Sequence, residues 1–406
     1  MKYEPLYKTY YTNAQEYQAL YESRSGSGEA VKLGLEISGS EAFYLPCSEI
    51  YSLLCSILRT DKNVSLLRAK LPEEAIHQFR MESLIDEIIV TNNIEGVHST
   101  RREIKDVIDS LGESRRQEKR FEGLINQYIM LGKKNIELRN CEDIRILYDN
   151  LVLNEVIENN SDNVPDGKFF RKDTVDIRNA AQKIIHTGVY PEAKITDYMQ
   201  KSLNILNDDN IDILIRTAIF HYLLGYIHPF YDGNGRLSRF ISSYYLSSDL
   251  DSLVGNRLSC TIQDHLSEYY KMFKICNEPI NRGDITPFII LFLNIILEAE
   301  ENLLYALTRR SNLYEQNLIY ISELAARDKW DISTASLCIA LLISSLFSKN
   351  GLNKRELLAQ TGIKSSTTLS KKLSILKEYG LLKEKKEVNV IHYNLDYDNL
   401  RKSLEK

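Results

Sequence analysis

The stretch IDILIRTAIFHYLLGYIHPFYDGNGRLSRF, residues 211–240, decides the fold. Its first part, residues 211–230, is apolar on nearly every side, which is typical of a helix buried in the middle of a helical bundle. The part that follows, residues 228–240, contains a histidine, an acid, two glycines around an asparagine, and two arginines. This mixture suits neither a protein core nor an ordinary surface helix, so it indicates a site for a charged ligand.

The glycines and arginines of this stretch predict an anion site. Gly233 and Gly235 flank Asn234, and glycine lets backbone N–H groups come close to a ligand. The helix that follows directs its N-terminus, with unpaired N–H groups and the positive end of its dipole, at the same place. Arg236 and Arg239 are three residues apart and can share one face, and paired guanidinium groups suit phosphate oxygens. The predicted anion is therefore a polyphosphate.

Two further side chains beside this predicted anion site indicate the reaction that takes place there. Asp232 is a carboxylate next to the predicted phosphates, where Mg²⁺ is usually held by one or two carboxylates and by phosphate oxygens. His228 is the natural general base because its ordinary pKa lies near neutrality. Phe230 is expected to anchor the loop in the core. Together these residues predict Mg²⁺-assisted transfer from a nucleoside triphosphate to a hydroxyl group, and the alternative is a helix–helix turn with a surface charge cluster.

The segment HPFYDGNGRLSR, residues 228–239, matches the signature HPFx(D/E)GNGRxxR of the Fic family at every fixed position. The chain is therefore similar to Fic proteins, over roughly residues 40–304. The resemblance implies an all-helical bundle with a small β-hairpin flap. It also implies a protein adenylyltransferase, a nucleotidyltransferase that moves AMP from ATP to a Ser, Thr or Tyr hydroxyl group of a protein while pyrophosphate leaves.

Carried over by position, the resemblance implies a role for each polar residue of the motif. His228 takes the proton from the target hydroxyl group, and Asp232 holds Mg²⁺ on the α- and β-phosphates. The loop cradles those phosphates, and the two arginines stabilise charge on the β- and γ-phosphates. The residues expected to bind the nucleotide are Gly233, Asn234, Gly235, Arg236 and Arg239.

The segment IIHTGVYP, residues 184–191, lies about 40 residues before the motif histidine, where Fic proteins carry the flap. The flap aligns the target chain by main-chain pairing. We expect His186 to be a solvated loop histidine, with contact to the target or the nucleotide as the alternative. Tyr269 and Tyr270 lie where related chains approach the nucleotide. The flap residues expected to dock the target are Ile185, His186, Thr187 and Gly188.

The segment TNNIEG, residues 91–96, predicts an inhibitory element. Taken alone, it is a helix C-terminus capped by Gly96, with Glu95 as a solvated acid. An acid there is slightly unfavourable with the helix dipole, so a cationic partner would help. Fic proteins with an N-terminal inhibitory helix carry (S/T)xxxE(G/N), which Thr91, Glu95 and Gly96 fit. The resemblance implies that Glu95 pairs with Arg239, takes it from the γ-phosphate and leaves ATP bound unproductively. In some relatives this glutamate also orients water for the removal of AMP.

The composition changes towards the C-terminus. Residues 351–406 contain 12 Lys and Arg against 7 Asp and Glu, whereas the rest of the chain contains 39 against 49. The order of a helix, a turn at Gly362, a helix capped by Gly380 and a hairpin resembles a winged helix-turn-helix module. Such modules contact DNA or dock proteins, and the sequence favours neither. The residues that would face a DNA groove or its phosphates are Ser366, Thr367, Ser370, Lys371, Lys385 and Lys386.

The whole chain has an ordinary soluble composition, with 43% hydrophobic and 26% charged residues and a net charge of −5. Its longest apolar run, residues 288–297, is too short for a membrane span of about 20 residues. The N-terminus lacks the pattern of a signal peptide. The six cysteines show no CxxC spacing, so we expect reduced, mostly buried thiols in a cytoplasmic protein that does not contact membranes.

These features predict a mainly α protein of three parts: an N-terminal helical region at residues 1–110 that ends in the inhibitory helix, a Fic catalytic domain at 111–310, and the winged-helix module at 330–406. The predicted function is protein adenylylation with ATP and Mg²⁺, autoinhibited by Glu95. The target is another protein or the chain itself, and a homodimer is left open. The alternatives are a DNA-binding regulator that only senses nucleotide, a Fic enzyme that transfers UMP, phosphate or phosphocholine, and one that removes AMP. The sequence gives no role to residues 1–40.

Overall fold

A computed structural model describes the protein at residues 3–111, 119–133, 135–178, 184–387 and 390–404. Helices dominate these residues, and their strands form three separate antiparallel pairs. The mainly α fold class predicted from the sequence is therefore confirmed. Contacts within the chain group it into two compact units, which are Met1–Lys62 with Leu84–Glu301 (unit 1) and Asn63–Ser83 with Asn302–Lys406 (unit 2).

Unit 1 is a bundle of helices with two small strand pairs. A π-helical turn joins its helices α7 and α8, and helices α3, α4 and α14 extend into unit 2. The elements in chain order are α1 Leu6–Thr12, α2 Ala14–Ser25, β1 Val31–Ile37, β2 Ser40–Tyr44, α3 Ser48–Arg68, α4 Glu73–Ile94, α5 Arg101–Ile108, α6 Glu122–Ile129, α7 Cys141–Tyr148, α8 Asn154–Asn159, β3 Asp176–Arg178, β4 Ile184–Thr187, α9 Glu192–Leu206, α10 Ile213–Ile227, α11 Asn234–Asp249, α12 Leu258–Asp264, α13 Leu266–Asn277 and α14 Thr286–Arg327.

Helix α10 occupies the centre of unit 1. Asp212 caps its first turn by accepting a hydrogen bond from the Leu214 N–H, and nearly all of its residues are buried. It packs against α9 and α11. A helix that is apolar all round needs neighbours on every side, so the apolar pattern follows from this position. The prediction of a buried central helix is confirmed.

The chain turns sharply between α10 and α11. Helix α10 ends because His228 takes a left-handed backbone conformation, with φ of 52°. The ring of Phe230 is then fully buried and stacks on Tyr148, with ring centroids 3.7 Å apart. Helix α11 begins directly after Gly233, whose φ is 80°. This packing agrees with the expected role of Phe230 as the anchor of the loop.

The N-terminal segment carries more structure than its sequence pattern indicates. Strands β1 and β2 pair with an irregular register, and Phe43 of β2 also bridges to Asp284. The Tyr3 hydroxyl group donates to the buried carboxylate of Asp284 at 2.6 Å. These contacts join residues that are far apart in the chain, so no local pattern predicts them.

Unit 2 continues with a small assembly of helices and one hairpin. A capping box at Asn353 begins α16, and Gly362 ends it in a left-handed conformation. Strand β5 pairs with β6 without a bulge, and Leu352 adds an antiparallel bridge to Tyr393. The order of helix, turn, helix and hairpin agrees with the sequence pattern. The elements are α15 Ile332–Phe347, α16 Lys354–Thr361, α17 Ser366–Glu378, β5 Leu382–Glu387, β6 Val390–Leu395 and α18 Leu400–Leu404.

Contacts group the chain into two units, whereas the sequence indicates three ranges, which stay a prediction. Helix α14 runs without interruption from Thr286 to Arg327 and so passes the expected boundary at residue 310. Helix α4 begins in unit 2 and ends in unit 1. A helix that continues through a boundary shows no break in its periodicity, which hides the change of unit. In the described part of the chain, no helix is both long and apolar enough to cross a membrane.

Replacement of Phe230 tests the anchoring of the motif loop. We expect Phe230→Ala to lower the free energy of unfolding of unit 1 by about 3–5 kcal/mol, because it leaves a cavity beside Tyr148 and Phe170. Phe230→Leu keeps most of the apolar volume and should cost less than about 1.5 kcal/mol. Urea unfolding followed by circular dichroism measures both variants. An alanine variant that costs no more than the leucine variant would contradict the anchoring role.

Candidate active site

One pocket of unit 1 is lined by several residues of the motif, among them His228, Asn234 and Arg239, whereas Asp232 and Arg236 are not part of its lining. It is lined by the C-terminal end of α10, the first turns of α11, helix α13, the hairpin β3–β4 and the residue that follows α4. At about 160 Å³, the cavity is smaller than the roughly 300–1,000 Å³ of ordinary small-molecule sites. The predicted site residues that line it are Glu95, His186, His228, Asn234, Gly235, Arg239, Tyr269 and Tyr270.

The side chain of Asn234 closes the motif loop. Its amide oxygen accepts from the Phe230 N–H at 3.0 Å, and its amide nitrogen donates to the Phe230 carbonyl at 2.8 Å. At Gly233, φ is 80° and a Cβ atom would come within 2.8 Å of Val152, so both conformation and packing require glycine. The closed loop places the first turn of α11 at the pocket, where the helix dipole favours an anion.

His228 lies at the pocket with a partly exposed side chain. Its pKa is lowered to about 4, chiefly because burial withdraws the imidazole from water. Glu95 opposes this shift of the His228 pKa, whereas Arg171 and His186 add to it. The imidazole is therefore neutral near pH 7 and able to accept a proton.

Asp232 is the acid of the motif and is partly exposed. One of its carboxylate oxygens accepts from the Gly233 N–H at 2.5 Å, and the Tyr148 hydroxyl group donates to its main-chain carbonyl at 3.1 Å. Within the described ranges, no group of three or more His, Cys, Asp or Glu residues could hold a metal ion by itself. A single carboxylate fits Mg²⁺ that is bound mainly through phosphate oxygens and water, and it does not fit a metal centre made of protein ligands alone.

Arg239 is almost fully buried, and the end of α4 supplies its partners. Its guanidinium donates to the Thr91 hydroxyl group at 2.8 Å, to the Thr91 carbonyl at 3.0 Å and to the Glu95 carboxylate at 2.8 Å. Burial by itself would lower the pKa of Arg239, but Glu95 and Tyr269 reverse this effect and raise it. The contact expected between Glu95 and Arg239 is thus present, and it occupies the arginine that faces the pocket.

Two further contacts fix the C-terminal half of α4 within unit 1. The fully buried carboxylate of Glu87 accepts from the Ser259 N–H at 2.8 Å, at the start of α12. The Asn92 amide donates to the Ser99 hydroxyl group at 3.2 Å. Gly96 then turns the chain with φ of 73°, as expected for the end of this helix. Sequence reasoning missed Glu87, because its partner is 172 residues away.

Arg236 is not among the residues that line the pocket, which differs from the expected contact with phosphates. Its guanidinium is fully buried and donates to Glu155 of α8 at 2.6 Å. Burial raises the pKa of Glu155, and Arg236 opposes that rise. Residues three apart on a helix differ by about 60° in direction, which is enough to turn one arginine to the pocket and the other to the core. The spacing alone could not separate these two roles.

Strands β3 and β4 form the hairpin expected for the flap. Ile177 pairs with His186 and Asp176 with Thr187, and the Thr187 hydroxyl group donates to the Asp176 carboxylate at 2.8 Å. His186 is not the solvated histidine that the sequence favoured. Its ring is half-buried, and Nε2 donates to the Tyr226 carbonyl at 2.6 Å. Because His186 also lines the pocket, the alternative of a contact with a ligand is retained.

The residue after Gly188, at the end of the flap, is hydrogen-bonded to the C-terminal end of α10. The Val189 N–H donates to the Ile227 carbonyl at 3.0 Å. Gly188 is buried, and a Cβ atom there would lie 3.2 Å from the Cβ of His228. Ile185 belongs to β4, but its side chain lies outside the described residues. A glycine at residue 188 therefore lets the flap approach the motif histidine closely.

A second histidine supports the pocket from inside α10. His221 is fully buried and lies within hydrogen-bonding distance of the Ser242 hydroxyl group, at 2.8 Å, and of the Tyr269 hydroxyl group, at 2.6 Å. Burial lowers the pKa of His221 to about 3, so it stays neutral and helps to fix the Tyr269 ring. A lone histidine inside an apolar helix was the available signal. The other pocket residues missed by sequence reasoning include Phe273, Lys274 and Asn277 of α13.

Comparison with known proteins supports these features over part of the chain. Residues 140–246 match the model of the Fic/DOC family. Two curated relatives are both named protein adenylyltransferase Fic. The Drosophila erecta protein is 36% identical over 94 residues, which is 22% of this chain and 17% of that protein. The Drosophila grimshawi protein is 34% identical over 87 residues, which is 21% of this chain and 16% of that protein.

The matches span about a sixth of the length of these fruit-fly relatives. The crystal structure of a Fic family protein from Desulfovibrio desulfuricans G20 is similar with a TM-score of 0.53 and 19% sequence identity, covering 87% of this chain and 97% of that one. This likeness shows the fold. The chain therefore contains a Fic domain at residues 140–246, which includes the motif, the flap and helices α9 and α10.

The buried pair of Arg236 and Glu155 can be tested by stability alone. We expect Glu155→Ala to destabilise unit 1 by about 3–5 kcal/mol, because it leaves a buried guanidinium without its carboxylate. Glu158→Ala is the matched control, since this exposed acid lies on the same helix, and it should change stability by less than about 0.5 kcal/mol. Urea unfolding measures both variants. Equal stability of the two variants would show that the pair does not support the motif.

Proposed function

We propose that the protein is a protein adenylyltransferase that transfers AMP from ATP to a hydroxyl group of a target protein. The observation that carries the proposal is the meeting of His228, the first turn of α11 and Arg239 at one pocket. The name of the fruit-fly relatives supports AMP over another transferred group. The outer edge of β4 is proposed to align the target chain by main-chain pairing.

In the proposed reaction, the target hydroxyl oxygen bonds to the α-phosphorus of ATP while His228 accepts the hydroxyl proton. The bond from the α-phosphorus to the oxygen of the leaving pyrophosphate breaks. A neutral imidazole suits the role of base, and the lowered pKa of His228 keeps it neutral. The loop Gly233–Gly235 and the positive end of α11 stabilise the phosphates. Arg239 binds the terminal phosphate once Glu95 has moved away.

Mg²⁺ fits this reaction through Asp232. Bound there, the ion would neutralise charge on the α- and β-phosphates and orient them. The chain contributes the carboxylate and holds one of its oxygens through the Gly233 N–H. This arrangement requires only one protein carboxylate, in keeping with how Mg²⁺ binds phosphate ligands.

Glu95 is proposed to restrain the reaction. It occupies the guanidinium of Arg239, which the terminal phosphate needs for a productive position. Thr91 holds the same guanidinium through two hydrogen bonds, so the arginine is fixed in the restrained state. The small volume of the cavity in this state agrees with a pocket that does not seat a complete nucleotide productively.

Three purified forms test the proposal: wild type, Glu95→Gly, and Glu95→Gly combined with His228→Ala. Each is incubated with α-labelled ATP and Mg²⁺, and label on the protein is followed. We expect Glu95→Gly to label itself on the order of 10²-fold more than wild type, because it frees a charged donor for the phosphates. The added His228→Ala should abolish this label, because the base is removed.

Asn93→Gly is the matched control for Glu95→Gly. Asn93 is exposed on the last turn of α4, so the variant loosens the helix end without removing the carboxylate. We expect no rise in label. If no form labels itself or proteins of a lysate while each binds ATP, AMP transfer is contradicted. Labelled UTP, γ-labelled ATP and labelled CDP-choline would then identify transfer of UMP, phosphate or phosphocholine.

Residues 330–406 are proposed to form a winged helix-turn-helix module that contacts duplex DNA. Helices α16 and α17 would be the helix-turn-helix, and β5 with β6 the wing. Ser370 is half-buried and accepts from the Lys354 ammonium group at 3.0 Å, whereas the other predicted residues are exposed. These exposed residues are Ser366, Thr367, Lys371, Lys385 and Lys386.

Fluorescence anisotropy with a labelled duplex at about 50 and 200 mM salt tests the DNA contact. We expect affinity to fall with salt, and Lys371→Ala combined with Lys386→Ala to weaken binding to all sequences. Lys402→Ala, an exposed lysine on α18, is the control and should bind as wild type does. A complete lack of binding at the lower salt would favour protein docking. Tight, specific binding without any label transfer would favour the nucleotide-sensing regulator.

A further inference from the structure

Arg171 is a buried cation whose partners are main-chain atoms. It lies in the irregular segment between α8 and β3, and its side chain is fully buried. Its side-chain hydrogen bonds within the described residues go to main-chain carbonyl groups and not to a carboxylate. A buried charge costs free energy unless hydrogen bonds compensate for lost hydration. The hydrogen bonds of the Arg171 guanidinium therefore have to compensate for the burial of its charge.

The guanidinium joins three segments through their carbonyl groups. Nε donates to the His228 carbonyl at 2.8 Å, Nη2 donates to the Val189 carbonyl at 2.8 Å, and Nη1 donates to the Asp173 carbonyl. Nη2 also donates to the Ile227 carbonyl at 3.4 Å. Carbonyl groups at the end of a helix have no partner within the helix and carry negative partial charge. One cation thus connects the end of α10, the motif histidine and the exit from the flap.

These bonds hold His228 in an uncommon backbone conformation. Its φ of 52° and ψ of 63° lie in the left-handed region, which a residue other than glycine keeps only where its surroundings impose it. Arg171 contacts the chain on both sides of this turn, since its own N–H donates to the Pro229 carbonyl at 3.1 Å. The direction of the imidazole therefore depends on Arg171.

The charge of Arg171 also acts on the imidazole. Charged or titratable groups face His228 from several of the described elements around it. Glu95, from the end of α4, raises the pKa of His228, while Arg171 and His186 lower it. Burial lowers the pKa of His186 itself, which keeps that ring neutral near pH 7. Arg171 is therefore the permanent cation in this group.

We propose that Arg171 is a positioning residue for the transfer reaction, an assignment that rests on the proposed function. The positioning half of the proposal is that Arg171 holds the His228 backbone and the end of the flap as one rigid piece. The electrostatic half is that its positive charge acts directly on the neighbouring imidazole. Arg171 is not among the residues that line the pocket, so it acts through His228 and not on the nucleotide.

A histidine titration by carbon-13 NMR tests the electrostatic half without any reaction. Wild type, Arg171→Gln and Arg171→Lys are compared, and the His228 signal is assigned by its loss in His228→Ala. We expect the pKa of His228 to be higher in Arg171→Gln than in wild type, although burial still holds it below its ordinary value, and to stay at the wild-type value in Arg171→Lys, which keeps the charge. Equal pKa values in all three proteins would overturn the electrostatic half.

Steady-state kinetics in the Glu95→Gly background test the positioning half. Near pH 8 we expect kcat to fall on the order of 10²-fold in both Arg171 variants, because neither side chain reaches all of the carbonyl groups. The KM for ATP should change less than about twofold, since Arg171 does not contact the nucleotide. The acid limb of the kcat/KM profile should move to higher pH only in Arg171→Gln. An unchanged kcat in Arg171→Lys would overturn the positioning half.

Arg216→Gln is the matched control, because this arginine is also largely buried in unit 1 but lies near the start of α10, at the opposite end of the helix from His228, and pairs with Asp209. It should leave kcat and the pKa of His228 unchanged.

Thermal denaturation checks that each variant folds, and Arg171→Lys alone decides the positioning half if Arg171→Gln does not fold. If the Glu95→Gly parent transfers no AMP, the proposed function fails, while the NMR titration still decides whether Arg171 sets the state of His228. If the parent is active and the variants match it, only the role of Arg171 fails.

Discussion

The buried guanidinium of Arg239 is the constraint on which the rest of unit 1 depends. With only 2% of its side chain exposed, it must find acceptors inside the protein, because an unpaired buried cation is costly. The last turn of α4 and the residue after it provide three hydrogen bonds. Helix α4 therefore has to extend to the start of α11 and end there. Gly96, which has a positive φ, turns the chain directly after the helix. The course of α4 and the state of the pocket are set by the same contact.

The two arginines of the motif show how equal spacing leads to different roles. Each is paired with a glutamate, but the Glu155 side chain is 5% exposed whereas that of Glu95 is 25% exposed. Removing a carboxylate from a fully buried pair leaves a charge that water cannot reach, so Arg236 and Glu155 behave as a fixed support. Glu95 lines a pocket, and in the proposed exchange it would return to water when another anion takes its place. The difference in exposure separates a structural pair from an exchangeable one.

The sequence predicted the parts of the fold that depend on local patterns. Periodicity and turn residues indicate the apolar helix α10 and the end of α4 at a glycine. They also indicate the hairpin near residue 188 and the helix–turn–helix–hairpin order of the C-terminus. The boundaries between units were not predictable, since α4 and α14 continue through them.

The site was predictable where the chemistry lies within one short segment. His228, Asn234, Gly235 and Arg239 meet at the pocket as the motif implies. The buried partners that hold this segment could not be predicted, because each is joined to it only by folding. Glu155 is 81 residues from Arg236, and Arg171 is 57 residues from His228. A charged residue in an irregular segment looks like an exposed one until the structure shows what surrounds it.

Glu95 resembles the phosphate that it is proposed to exclude in two physical respects. It is an anion that accepts a charged hydrogen bond from Arg239, as a terminal phosphate would. It also raises the pKa of the His228 imidazole, against burial, Arg171 and His186. In the proposed exchange, the negative charge of an incoming nucleotide would take over both effects. A phosphate that replaces the carboxylate would keep Arg239 paired, and this would avoid the cost of an unpaired buried charge.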